Sequence, residues 1–574
     1  MEQIPLIGVI SKAGQVSVVE EFFELFKTPW EFYAPGKAYD AVIATVDKLP
    51  AIQARLLLVY GAEAQTADTR FGIMAGGRQA GGILNDRDGL LPIYTGLLTF
   101  EPCRDTAACQ TVSGASVGIR TSTADGIVIR LGYDLFDEVA FLLSSGQTVE
   151  HAPVPALDIH IAMLRRWILE AGMPLLEIPP APAGHSFIVC LTHDIDFIGI
   201  RRHFCDHSMW GFVFRATAGA LWNFKRGRLS LSRLLRSWLA VASLPFVYVG
   251  LVRDFWEPFE WYLKVEDGLS PTYFLIPFKR RPGARVPGRH TSRRASAYGA
   301  ADLHAQTRIL QSHGCEVGVH GIDSWHDAVK GTEEKAEVAS VAGECSGIRM
   351  HWLLRDENTP AALESAGYSY DSTVGYNETV GYRAGTSQVF RPAGAQTLLE
   401  LPLHIQDGAL FYPQRLDLTE PEAERRCRAL IATAGKFGGV LTVLWHDRSH
   451  GPERFWGGFY VNLLAALKSL DVWFGTAGQV VGWFRKRRMV RFERAEEGAE
   501  TPVRIRYEGG DIQPPLRVRL HRPARPQADF GPAQRVAPEF VDLVWTGNSI
   551  DELEKQIASQ PPSAVSDIAC CSYP

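Results

Sequence analysis

The stretch Phe187–Phe197, FIVCLTHDIDF, decides the fold: five apolar residues run directly into Thr192, His193, Asp194, Ile195 and Asp196. A short apolar run bounded by polar residues is the signature of a buried strand. Side chains two apart on a strand share a face, so Asp194 and Asp196 point to the same side where the strand ends. Two bare carboxylates that close repel each other. A divalent cation held by one of them relieves the repulsion and leaves the other as an ionised base.

Two further runs repeat the arrangement. Cys315–Asp327, CEVGVHGIDSWHD, and Gly438–His450, GGVLTVLWHDRSH, are apolar strands that also end in histidine and aspartate. In parallel β/α folds the loops at the C-terminal ends of the strands carry the active site, so three such runs converge on one face. With one of the two carboxylates, Asp194 or Asp196, His320 and His326 then form a mixed N/O set suited to one divalent metal, zinc first, with cobalt, nickel or manganese as alternatives.

The runs THDID, EVGVHGIDSWHD, GIRMHW, YDSTVGY and VLTVLWH, in this order, resemble the motif series of the polysaccharide deacetylases, carbohydrate esterase family 4 with the NodB-homology domain. The resemblance spans roughly residues 185 to 488. It implies a distorted (β/α) barrel and a metal-dependent hydrolase that removes N-acetyl groups from an amino sugar in a polysaccharide or its precursor. By the same resemblance Asp194 is the general base, Asp196 and His320 are metal ligands, His446 is the general acid, and Arg349 orients the base. Asp371 falls at the pocket rim, and Trp352 and Tyr376 stand close enough to the motifs to meet the sugar. One departure concerns the third ligand: the family's second histidine follows the first by four residues, and here that position is Ser324. His326, two residues later, takes its place, with His351 of the MHW run as the competitor. A second reading keeps the barrel without the activity, as a carbohydrate-binding scaffold whose shifted histidine spacing has lost the metal.

Outside these motifs the chain is less specific. At 574 residues it exceeds one ordinary core. The pattern divides into an accessory α/β domain over 1–150, a helix and proline-rich linker over 151–184, the barrel over 185–488, a small β unit over 489–545 and a tail over 546–574. A helical and basic insertion occupies about 200–300. Its apolar run Trp238–Val252 contains Pro245 and is too short to span a bilayer, so it reads as a buried or membrane-surface helix. The basic residues around it suit either a solvated face or anionic lipid. A net charge of −5 gives no nucleic-acid footprint. Nine cysteines without a CxxC pair, and a start lacking a basic and apolar leader, read as a cytoplasmic protein with reduced thiols.

Overall fold

The computed structural model describes residues 4–101, 106–286, 291–495, 503–523, 539–548 and 550–559. Cys103, Arg289, Cys570, Cys571 and the tail beyond Ser559 lie outside the described residues. The chain folds as two units, one of Met1–Phe141, Ile159–Ala183 and Arg485–Pro574, the other of Leu142–Asp158 and Gly184–Phe484.

The second unit carries the motifs on a curled, all-parallel sheet. Its strands are β1 (Phe187–Ile195), β2 (Thr272–Leu275), β3 (Glu316–Gly321), β4 (Gly347–Met350), β5 (Tyr370–Asp371), β6 (Leu399–Glu400), β7 (Ile405–Gln406), β8 (Val440–Leu444) and β9 (Val472–Phe474). The order is β6-β5-β4-β3-β2-β1-β8-β7, with β9 on β1 as well. The first half of β1 pairs with β9 and its second half with β2, so one strand serves two neighbours along a single length. The end strands β6 and β7 are joined by residues 401–404. The Leu401 amide bonds to Asp371 at 2.8 Å and the His404 amide to Thr442 at 3.2 Å, so the link carries the curl onward. This is the distorted β/α barrel that the motif order implies.

The apolar runs become strands because both faces are covered: every residue of β1, β2, β4 and β8 is buried. Helices such as Glu420–Phe437, opened by a capping box at Thr419 with Pro421 in its first turn, cover the outside. The stretch read as an insertion also contains a barrel strand, β2. The run PTYFLIPF is a short apolar segment that periodicity alone does not distinguish from a buried helix.

The loop after β3 is fixed from below. Buried Glu334, on the helix Ala328–Ala342, accepts the amides of Ile322 at 3.0 Å and Asp323 at 2.7 Å and the Ser324 hydroxyl at 2.5 Å. Ser324, at the position where a histidine ligand was sought, therefore anchors its own loop.

The first unit is an eleven-stranded mixed sheet. Ile7–Ile10, Trp30–Phe32, Ala41–Ala44, Leu56–Tyr60 and Ile127–Leu131 are parallel, and the remainder of the sheet is antiparallel. Leu516–Arg522 lies between Leu175–Glu177 and Glu539–Trp545, both antiparallel to it. The basic run closing the helix Ala477–Met489 does more than complement a helix terminus. Arg487 is fully buried and donates to the carbonyls of Ile178, Glu24 and Leu25, while Arg488 pairs with Glu21 at 2.6 Å. Of the tail, Ile550–Ser559 is a helix.

Glu334→Ala leaves buried donors unsatisfied, each worth about 1–3 kcal/mol. It is expected to lower stability by about 3 kcal/mol, read as a fall in the urea midpoint at unchanged slope.

Candidate active site and metal centre

Along β1 the odd and even positions part company. His193 turns to the outer layer, where Nε2 meets Glu266 at 2.9 Å and Nδ1 meets the Trp445 carbonyl at 2.8 Å. Thr192 and Asp194 turn inward with Asp196, as the two-residue period requires.

Arg349 on β4 meets them. Its guanidinium is fully withdrawn from solvent and donates through Nη1 to Asp194 Oδ1 at 3.0 Å and to Thr192 Oγ1 at 2.8 Å. Nε and Nη2 donate to the backbone carbonyl and hydroxyl of Ser372, just past β5, at 2.9 and 2.8 Å. The carboxylate of Asp194 is thereby fixed at one oxygen, and Oδ2 stands 3.9 Å from His320 Nε2.

His320 ends β3. Its Nδ1 lies 3.0 Å from the Arg349 carbonyl, which can only accept, so Nδ1 carries a hydrogen and Nε2 is the ring nitrogen turned to the carboxylates. Nε2 lies 3.5 Å from Asp196 Oδ1, and His351 Nε2 lies 3.3 Å from the same oxygen. Asp196 Oδ1 and His351 Nδ1 are buried and have no hydrogen-bond partner among the described residues.

Burial depresses the His351 imidazole to about 3, against the pull of Asp196, so it is neutral at ordinary pH. Burial acts on Asp196 in the opposite sense, raising its carboxyl, but facing His351 and His320 outweighs it and holds Asp196 well below the usual range. A carboxylate oxygen and two imidazole Nε2 atoms turned on one another is an arrangement that wants a cation at its centre. Donor atoms about 2.05 Å from a tetrahedral zinc are about 3.3 Å apart, close to the two spacings found. Among the described residues these three are the group whose ligand atoms lie within 4.8 Å of one another.

The structure thus gathers His351, and not His326, with Asp196 and His320. His326 stays outside because Ser324 is tied down to Glu334, and its Nε2 faces Asp323 Oδ1 at 3.6 Å. His351 reaches the site because the chain turns sharply after β4, with Trp352 and Leu353 at φ of +67° and +53°. Nothing in the sequence marks that turn.

His446, just past β8, lines the same cavity. Its Nδ1 lies 2.5 Å from Asp407 Oδ1, and its amide donates to Asp407 Oδ2 at 2.9 Å. Ser449 also donates to Asp407. Burial works against a charged imidazole here, yet Asp407 reverses the sign and lifts His446 to about 10. Asp407, itself fully buried, escaped the sequence reading because it follows a two-residue strand with no apolar run before it.

The remaining expectations divide. Trp352 lines the cavity, together with Leu353, Asn377, Gln406, Tyr412, Arg415 and Leu444. Asp371 does not: it is buried on β5 opposite Glu400 of β6, and burial raises its carboxyl to about 6. Tyr376 is buried too, its hydroxyl donating to the Gln147 carbonyl at 3.0 Å. Asp371 was expected at the rim from the resemblance and Tyr376 from its closeness to the motifs; β5 itself carries Asp371, and the backbone after it carries Tyr376, into the barrel wall.

No family model matches the chain, and no curated relative matches it. Among solved structures, one named as a polysaccharide deacetylase from Mycobacterium smegmatis is 19% identical over 56% of this chain and 100% of that one, with a TM-score of 0.35. Another so named, from Pseudomonas aeruginosa PAO1, is 14% identical over 54% and 94%, at 0.33. The carbohydrate deacetylase Agd3 is 9% identical over 96% and 99%, at 0.34. These likenesses are remote in sequence and shape, and the chemistry of the site rests on its own residues.

Two outcomes check the geometry. His351→Ala is expected to weaken binding of zinc by at least about 100-fold, as loss of a ligand or its support does, while His326→Ala leaves the affinity within a few-fold, read by competition with a chelator. In metal-free protein Asp407→Asn is expected to drop the His446 imidazole from about 10 to below the ordinary value near 6.5, read by NMR titration. Since His446 is raised on folding, the stability it contributes is complete below about pH 6.5 and is lost as pH rises through about 10. The variant removes that dependence.

Proposed function

We propose that this protein is a metal-dependent amide hydrolase that removes the acetyl group from an N-acetylated amino sugar of a polysaccharide or its precursor. The observation that carries the reading is the pairing, across one cavity, of the Asp196–His320–His351 triad and Arg349-bound Asp194 with a histidine whose charge Asp407 sustains. A divalent cation in the triad would polarise the acetyl carbonyl and make a neighbouring water more acidic.

The chain's own residues account for the proton movements. Asp194, with Oδ1 committed to Arg349, has Oδ2 to take the proton of water as it adds to the carbonyl carbon. His446, held protonated by Asp407, gives its proton to the nitrogen as the C–N bond breaks, since an amide nitrogen cannot leave as an anion at neutral pH. The products are acetate and a free amine. The two groups differ in the way this division of labour needs, one a carboxylate oxygen left open by Arg349 and the other a charged donor.

The cavity, about 130 Å³, is smaller than the roughly 300 Å³ of pockets that enclose a whole ligand. It suits an acetamido group, with the sugar ring outside against half-buried Trp352 and Tyr412. These features favour hydrolysis over the silent-scaffold reading, which gives no reason for an orphaned buried carboxylate oxygen beside two imidazoles.

The test is metal stoichiometry followed by acetate release from N-acetylated oligosaccharides. Wild-type protein is expected to hold about one equivalent of zinc or a similar cation, and Asp196→Ala to lose it. Asp194→Asn is expected to keep the metal and lose at least about 100-fold in kcat, the usual worth of a general base. Retention of metal by Asp196→Ala, or full activity in Asp194→Asn, would overturn the assignment.

A further inference from the structure

The segment between β1 and β2 builds a helical hairpin whose outer side has no counterpart among the other described residues of this unit. Helical backbone runs from His207 to Lys225, through a π turn at Arg215–Gly219, and a second helix spans Leu231–Tyr248. The inner stripe of the second helix, Leu234, Ser237, Leu244 and Val247, is buried, as helical spacing requires. Its opposite stripe is equally apolar. Leu231, Leu235, Leu239, Phe246 and Val249 recur at the same spacing and are exposed, Leu239 by 67% and Val249 by 70%. Trp210, Phe214 and Trp222 on the first helix add to this surface, exposed by 56–66%, and Leu251 beyond the second by 77%. A helix apolar on both sides is buried on both sides in its working state.

Charge selects what covers it. From His207 to Arg253 the sequence has seven arginines and lysines and no aspartate or glutamate. Arg228 and Arg233 are paired with Asp417 and Glu420 at 2.7 Å each, while Lys225, Arg226 and Arg236 are exposed beside the apolar stripe. A second copy meeting this surface about a two-fold axis would set like charges face to face. An anionic bilayer neutralises them and takes the tryptophans at its headgroup level. No described helix is long and apolar enough to cross a membrane, so the contact is with the surface of the bilayer.

We infer that the hairpin 207–252 seats this protein on an anionic lipid surface through its exposed apolar stripe and flanking basic residues. The hairpin leaves the barrel directly after Asp196, and it is fastened to the segment that lines the catalytic cavity. Arg454 lies over the Tyr412 ring at 5.2 Å, and the Ser237 hydroxyl donates to the Pro452 carbonyl at 2.8 Å. The membrane contact and the cavity thus share the C-terminal end of the barrel strands, which suits a glycan presented at a membrane. The inference stands apart from the metal chemistry, because none of the triad residues takes part in it.

The test is co-sedimentation of the full chain, metal-loaded and metal-stripped, with vesicles of phosphatidylcholine alone and with about a quarter phosphatidylglycerol. Wild type is expected to bind the anionic vesicles at least tenfold more tightly, and 0.5 M salt to remove most of that difference. Trp210→Ser/Leu239→Ser/Leu251→Ser is expected to lose binding to both vesicles, with melting temperature and metal content unchanged because all three side chains are exposed. Lys225→Glu/Arg226→Glu/Arg236→Glu is expected to lose at least tenfold on anionic vesicles only, given roughly fivefold per charge. No wild-type binding to either vesicle, or equal binding to both, would overturn the inference. So would self-association of wild type that the apolar triple variant abolishes, which would make the stripe a subunit contact.

Discussion

One buried guanidinium holds the site together. Arg349 is out of water on every side, so each of its donors must find an acceptor within the protein, and those acceptors sit on different strands: Thr192 and Asp194 on β1, and Ser372 beyond β5. Its own carbonyl fixes the tautomer of His320. A charge in such a place is costly unless it is paired and hydrogen-bonded throughout. The same economy that makes it tolerable sets the positions of the Asp194 carboxylate and the His320 imidazole together. The curled sheet is what brings these strands within reach of a single side chain.

A second arrangement of the same kind stands across the cavity. Asp407 takes the imidazole Nδ1 and the amide of His446, together with the Ser449 hydroxyl. Both halves therefore rely on a buried ion pair whose partners come from separate elements of the barrel. The triad between them differs, since its carboxylate oxygen and its second imidazole are left without partners. A buried carboxylate oxygen without a donor, facing two imidazoles, is the arrangement that a bound cation would complete.

The fold was legible because strands with both faces covered must be apolar along their whole length, and the chemistry begins where that run ends. β1, β3 and β8 announce themselves in this way, and the residues at their ends are those that meet in the cavity. β5, β6 and β7 are two residues each and carry no such signal. Asp407 follows one of them and carries no such mark, while Asp371, expected at the rim by the resemblance, and Tyr376, by closeness to the motifs, turn into the wall.

The sequence by itself determined the parallel barrel, the shared face of Asp194 and Asp196, and the presence of His320, Arg349 and His446 at strand ends, because strand period and burial act locally. The tertiary structure set His351 rather than His326 beside Asp196 and His320, supplied Asp407, and exposed the second apolar face of the hairpin. Each of these depends on where a loop is anchored or which face a neighbour covers. Ser324 is bound to Glu334 ten residues away, and the turn at Trp352 swings His351 inward; such contacts are made between elements and leave no period in the chain.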